Sequence, residues 1–204
     1  KQWAKVSLRN SERLLLLVND ILDVSRLDND TMRFEMKKFD SSELVNQIVE
    51  DMRPSIEQKN LCFNVSIPEK LPEIFGDFLR LEQVLKNLFT NALKFTDEGN
   101  ITFEALVEYD KLKLMVSDTG IGIDLDDLDQ IFEKFFQADT AESRKHEGTG
   151  LGLFICREII QKHKGTIIAD SIPGKGSTFT ITLPIISQRG QEDNCIDETN
   201  TQKS

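Results

Sequence analysis

The stretch FLRLEQVLKNLFTNALKF, residues 78–95, contains neither glycine nor proline and holds two patterns at once. At about 100° per residue, Leu81, Val84, Leu85, Leu88, Phe89 and Ala92 align as one apolar stripe, which predicts an amphipathic helix on a core. Gln83, Asn87, Asn91 and Lys94 follow at spacings of four, four and three. Their polar stripe borders the apolar one instead of opposing it, so it should lie half enclosed at the core margin. Asparagine is a poor helix former, and two on one edge need partners. Two readings stay open: the amides bond neighbouring loops, or the edge borders a cleft where amide oxygens meet a metal and Lys94 meets anionic oxygens.

Working outward, residues 1–28 read as helix. Leu14, Leu17, Val18, Ile21, Leu22 and Val24 make a wide apolar face that one helix cannot bury alone. Partner helices are expected; docking on the chain's own domain is the plainer alternative. Asp28-Asn29-Asp30 ends the helix, and Met32, Phe34 and Met36 alternate with polar residues as a strand would. Asp40 with Glu43 suggests a capping box. The helix behind it runs towards Lys59, with Pro54 expected to kink or end it. Leu61, Phe63, Val65 and Ile67 alternate again up to Pro68. Downstream, Ile101 to Tyr109 and Lys111 to Ser117 form a hairpin about Asp110, residues 137–150 a loop, and Leu151 to His163 a helix. Thr166 to Asp170 and Thr178 to Leu183 are strands about Pro173-Gly174-Lys175-Gly176. Residues 187–204 are almost all polar and expected to be disordered. The sum is an α+β fold: a mixed, mostly antiparallel sheet with three helices on one face, the other face more open. Architecture alone does not give function.

The chain has 204 residues, 29% charged and 39% hydrophobic, as an ordinary globular protein does. A net charge of −10 argues against a general binder of nucleic acid or anionic membrane, but not against a small anionic ligand in a favourable pocket. Cys62, Cys156 and Cys195 offer no disulfide framework and no CxxC metal site, which fits a reducing compartment. The longest aliphatic run, Leu14 to Val18, is far short of the roughly 18–20 residues of a membrane helix. No signal peptide is visible. The first residue is Lys, so a piece of a longer protein is expected.

Two further segments carry chemistry. Asp118 is in phase with Leu112, Leu114 and Val116 and so points to the apolar side at a strand end, where a carboxylate needs a donor. It either caps the turn Thr119-Gly120-Ile121-Gly122 or accepts from a ligand amine that the glycines let approach. Gly148-Thr149-Gly150-Leu151-Gly152 runs into an apolar helix, and free N–H groups at a helix start favour phosphate. Alone it is a weak motif. It is neither a Walker loop nor a dinucleotide fingerprint. Gly174-Lys175-Gly176-Ser177-Thr178 is weaker still and reads first as a hairpin turn.

In one order, between residues 83 and 179, stand the asparagine helix, Asp-x-Gly-x-Gly, Phe132-Glu133-Lys134-Phe135-Phe136, Gly-Thr-Gly-Leu-Gly and Gly-x-Gly-Ser-Thr-Phe. This combination resembles the catalytic ATP-binding domain of sensor histidine kinases, a Bergerat-type fold of the GHKL superfamily and a two-layer α/β sandwich. The resemblance covers residues 31–186. Residues 83–96 look like the family's asparagine box and 132–136 like its phenylalanine box. Arg13 to Asp28 resembles the second helix of the dimerisation and phosphoacceptor hairpin, here residues 1–30. Lys94-Phe95-Thr96 and Phe136-Gln137-Ala138-Asp139 look most like hybrid kinases, so a receiver domain is expected to follow in the parent protein.

The resemblance implies ATP and Mg²⁺ as cofactors. Asn91 would hold the Mg²⁺, with Asn87 and Lys94 contacting phosphate or metal-bound water and Phe95 packing near the adenine. Asp118 would accept the adenine amino group, with Gly120, Gly122 and Ile123 lining the base pocket and Thr178 supporting it. Residues 137–149 would form a lid, in which Arg144 or Lys145 reaches the terminal phosphate. Backbone N–H groups of Gly148, Thr149, Gly150, Leu151 and Gly152 would cradle phosphates. Asn87, Lys94 and Arg144 would carry the catalytic role. The implied partners are ATP, the phosphoacceptor hairpin of the parent kinase, a response-regulator receiver domain and a second copy in the full-length homodimer. Nucleic acid and membrane contact are not expected of this segment, and the implied location is cytoplasmic, including the cytoplasmic part of a membrane receptor.

One departure is decisive. Only His146 and His163 occur. The family's acceptor lies on the first hairpin helix, followed by an acidic residue and, a few residues on, a proline. His146 does precede Glu147 but falls in the lid segment just before the glycine loop, and His163 ends a helix before a strand, so neither has the acceptor's context. Phosphoacceptor and first helix are expected to be absent. Two other classes compete. GHKL clamp ATPases carry a water-activating Glu one helical turn before the metal Asn; Asn87 stands there and cannot be a general base. A pure interaction module would have lost nucleotide binding, yet all the glycine boxes are present.

Overall fold

The structure, a computed structural model, describes residues 2–138 and 148–186. Arg144, Lys145 and His146, and the tail from residue 187, lie outside these. Helix α1 (Gln2–Asp28) leads into a short strand β1 (Lys37–Asp40), α2 (Ser41–Gln58), β2 (Cys62–Ser66) and β3 (Glu73–Gly76). Then come α3 (Phe78–Phe95), the hairpin β4 (Asn100–Glu108) and β5 (Lys111–Asp118), the single turn α4 (Leu125–Leu128), α5 (Gly152–Lys162), β6 (Thr166–Ile172) and β7 (Gly176–Pro184). Five strands form one sheet in the order β2-β4-β5-β7-β6, in which only β2 and β4 run parallel. The mixed, mostly antiparallel sheet is as expected.

Alternation along the strands builds the core. Ile101, Phe103 and Ala105 of β4, Leu112, Leu114 and Val116 of β5, and Phe179, Ile181 and Leu183 of β7 are buried. Onto this face α3 lays its stripe, all six residues of which are buried. Phe89 meets Phe103 edge-on at 5.2 Å, a favoured aromatic geometry. Asp77 caps α3 by accepting from the Arg80 N–H at 3.1 Å, and α5 buries Phe154, Ile155, Cys156, Ile159 and Ile160 beside it.

Four expectations need correction. No strand forms over Met32, Phe34 and Met36: the Met32 N–H bonds back to Arg26 and the Glu35 N–H is taken by the Asp77 carboxylate at 2.8 Å. Pairing starts at Lys37, against Gly76 of β3, a strand the sequence reading omitted. Pro54 neither ends nor breaks α2, which continues to Gln58; Pro54 and Glu50, the carbonyl it leaves free, both face solvent. The capping box is half formed. Asp40 accepts from the Ser42 N–H, and Glu43 makes no return bond among the described residues.

Helix α1 docks by its C-terminal third. Val24 and Leu27 are buried, whereas Leu14, Leu15, Val18, Ile21 and Leu22 stay exposed. Asp23 joins Arg80 at 3.0 Å, Asp28 joins Lys134 at 2.6 Å, and beyond the helix Asp30 joins Lys162 at 2.9 Å. No described helix is long and apolar enough to cross a membrane.

Candidate functional site

The polar edge of α3 is the spine of the site. Asn87, Asn91 and Lys94 are all half-buried, as their position beside the stripe requires. Gln83 leaves this group: its amide donates to Asp23 of α1 at 2.9 Å and its oxygen accepts from Arg80. The Asn87 amide donates to Cys156 of α5 at 3.3 Å, and burial pushes the Cys156 thiol up to about 12. Among the described residues the Asn91 amide makes no hydrogen bond.

The glycine loop comes to this edge. A Cβ on Gly152 would stand 2.5 Å from Asn87 Oδ1, and one on Gly148 would stand 3.1 Å from Lys94 Nζ. At Gly152 the backbone packs so closely on the Asn87 side chain that a Cβ would collide with it. Gly150 has φ +68°, and its carbonyl accepts from the Phe135 N–H at 2.9 Å, which ties the phenylalanine box to the loop. The Thr149 hydroxyl accepts from the Leu151 N–H at 3.1 Å and donates to Asp20 of α1 at 2.9 Å. Leu151 is buried, and no side chain caps α5. Its first-turn N–H groups therefore remain as donors to an anion.

The other end of α3 meets the Asp118 loop. Asp118 is half-buried, and Oδ1 accepts from the Gly120 N–H at 2.8 Å. Burial pushes its carboxyl above the ordinary carboxylate range, against the pull of the Gly120 and Ser177 N–H groups and the Thr96 hydroxyl. That hydroxyl reaches Asp118 only at poor geometry and is the one buried side-chain polar atom without a full hydrogen bond among the described residues. The Phe95 carbonyl accepts from the Ile121 N–H at 3.2 Å, and any Cβ on Gly120 would collide with that oxygen. The Ile123 N–H is held by Ser171 at 2.8 Å, and Gly174 bonds the Ile121 carbonyl, so Gly122 lies against the β6–β7 turn. Thr178 acts one residue removed from Asp118, donating to Ser117 at 2.9 Å. Lys94 Nζ lies 4.6 Å from the centre of the Phe95 ring.

Residues far apart in sequence thus converge along one edge of α3, with amides, an ammonium and glycine N–H groups towards one end and a half-buried carboxylate at the other. Such an arrangement can hold an anion joined to a base-like group. Residues 76–187 match the family described as histidine kinase-, DNA gyrase B-, and HSP90-like ATPase, and the chain belongs to that family. It is 39% identical over 181 residues to the sensor histidine kinase RcsC of Escherichia coli strain K12, a match that takes in 88% of this chain and 19% of the length of RcsC. The fold is similar to that of full-length ShkA in complex with AMPPNP, at a TM-score of 0.78 and 31% identity over 91% of this chain and 39% of ShkA. It is also similar to the catalytic domain of histidine kinase ThkA, at a TM-score of 0.64 and 29% identity over 76% of this chain and 99% of that domain. ThkA in complex with the response regulator protein TrrA gives a TM-score of 0.71 at 26% identity, over 91% of this chain and 51% of ThkA.

Proposed function

We propose that this chain is the ATP-binding catalytic part of a sensor histidine kinase. It transfers the γ-phosphoryl of ATP to a histidine on a dimerisation hairpin of the same parent protein, for relay to an aspartate of a response-regulator receiver domain. In the transfer the bond from the γ-phosphorus to its bridging oxygen breaks, a bond to an imidazole nitrogen forms, and ADP leaves. The carrying observation is that the glycine loop and the Asp118 loop both close on α3, at Asn87 and Lys94 and at Phe95.

The protein's part is positioning and charge neutralisation, the main protein contributions to phosphoryl transfer. The N–H groups of residues 148–150 and 152 receive phosphate, that of Leu151 being taken by the Thr149 hydroxyl; Lys94 sets a cation beside it, and Asp118 accepts from the adenine amine, with Gly120, Gly122 and Ile123 around the base. Asn91 suits a Mg²⁺ site, since its half-buried amide makes no hydrogen bond among the described residues. No cluster of three His, Cys, Asp or Glu side chains among the described residues offers an alternative. Bound there, Mg²⁺ would neutralise phosphate charge. The same role is assigned to Arg144 and Lys145, which lie outside the described residues. With an amide in place of a carboxylate at Asn87, that position cannot activate water, and hydrolysis is slow. Residues 1–30 are read as the second helix of the hairpin, 31–186 as the catalytic domain and 187–204 as a tail. The exposed Leu14, Val18 and Ile21 suit a homodimer of the parent protein, placed in the cytoplasm.

His163 is 3% exposed and bonded through both ring nitrogens, to the Ile159 carbonyl and the Asp77 N–H, which disqualifies it as acceptor. With γ-labelled ATP, the chain alone should gain no acid-labile label, and a separately expressed hairpin of the parent kinase should gain it slowly. Acid-labile label on the chain itself, or none on the hairpin despite ATP binding, would overturn the reading.

A further inference from the structure

Helix α3 ends without a cap of its own. Its C-cap residue Thr96 is extended, at φ −116° and ψ 108°, so no left-handed turn satisfies the last carbonyls. They are satisfied from another helix. Lys59, the C-cap residue of α2, donates from Nζ to the Leu93 and Thr96 carbonyls, both at 2.7 Å, and pairs with Asp97 at 3.1 Å. A cation at a helix C-terminus also meets the negative end of the helix dipole. Between the two anchored carbonyls lie Lys94 and Phe95. The Phe95 carbonyl holds the Ile121 N–H and sets how closely Gly120 approaches, while Thr96 is fully buried against Asp118. The ammonium therefore fixes the piece of backbone on which the Asp118 loop rests, while making no hydrogen bond to that loop among the described residues.

We propose that Lys59 is a positioning residue for base recognition: by pinning the Leu93 and Thr96 carbonyls it sets the end of α3 against which the Asp118–Ile121 loop docks. This rests on the assignment of Asp118 as base acceptor. The glycine loop meets α3 at Asn87, further from the anchored carbonyls, and at Lys94 only through the far end of a long side chain, so base and phosphate recognition should separate on loss of the ammonium.

The test compares Mg-ATP, Mg-GTP and Mg-tripolyphosphate, which has no base, by calorimetry on the full chain, with thermal melting in parallel. Lys59→Met keeps an apolar stem and removes charge and donors. ATP affinity should fall about tenfold, the order of one charge-assisted hydrogen bond. Preference for ATP over GTP should shrink, and tripolyphosphate should stay within about twofold. Lys59→Arg, which keeps the charge and several donors, should recover most of the loss. If Lys59→Met does not fold, Lys59→Gln, which retains one amide donor, carries the same comparison. Parallel weakening of ATP and tripolyphosphate, or no change in either, overturns the positioning role. Wild-type chain that binds tripolyphosphate as tightly as ATP removes the base-pocket assignment itself.

Discussion

The carboxylate of Asp20, on the N-terminal helix, accepts a 2.9 Å hydrogen bond from the hydroxyl of Thr149, inside the glycine loop. The same hydroxyl takes the Leu151 N–H, so loop shape and helix docking share one atom. Burial, the largest influence, pushes the Asp20 carboxyl above its ordinary range; Thr149 pulls it down and neighbouring Asp23 pushes it up again.

A carboxylate beside a phosphate cradle repels the ligand. Asp20→Asn keeps an oxygen to accept from Thr149 and removes the charge, so Mg-ATP affinity should rise roughly three- to tenfold at low salt. The gain should shrink as salt screens the residual field. Fluorescent-nucleotide titration at two ionic strengths reads both effects; equal affinities for variant and wild type at both would count against the loop as phosphate site.

Asp118 should choose the base. A half-buried carboxylate accepts from the adenine amine and repels the guanine carbonyl oxygen. Asp118→Ala should weaken ATP binding by about 1.5–3 kcal/mol, the range for a hydrogen bond to a charged group, and flatten ATP-over-GTP preference. A variant that still discriminates fully would mean that the base is read elsewhere.

The buried His163 should give stability a pH dependence of known sign. Burial holds its pKa below the usual 6.5, so between its folded pKa and about 6.5 the unfolded chain binds more protons. Stability is therefore full above about pH 6.5 and is lost as pH falls through that value, by at most about 1.4 kcal/mol per pH unit. Protonation would also cost the acceptor of the Asp77 N–H at the cap of α3. His163→Gln should be less stable at neutral pH but flatter between pH 7 and 5 in urea melts. An unchanged slope would assign that dependence to other groups.

The periodic features were legible in the sequence. All six apolar positions of α3 are buried, and Asp118 falls in phase with the buried side of β5, because the 3.6 and 2.0 periods carry burial directly. What failed depends on backbone donors engaged elsewhere. Alternation over Met32, Phe34 and Met36 cannot show that the Glu35 N–H bonds the Asp77 carboxylate. Four residues of β3 between Pro72 and α3 are too few to establish a period. Spacing put Gln83 in line with Asn87, yet a helix edge meets different neighbours along its length, and Gln83 reaches α1. Lys59 gave no signal, since its value lies in two carbonyls and a carboxylate far along the chain. Its nearest hint was a lysine where α2 was expected to end.

The central claim is a Mg²⁺-dependent nucleotide site on the polar edge of α3, and calorimetric titration of ATP into wild type and Asn91→Ala, with and without Mg²⁺, tests it most directly. Wild type should bind ATP more tightly with Mg²⁺, and Asn91→Ala should lose this enhancement and at least about tenfold in affinity, while its melting temperature changes little because the Asn91 amide makes no hydrogen bond among the described residues. Unchanged affinity and unchanged Mg²⁺ dependence in Asn91→Ala would contradict it.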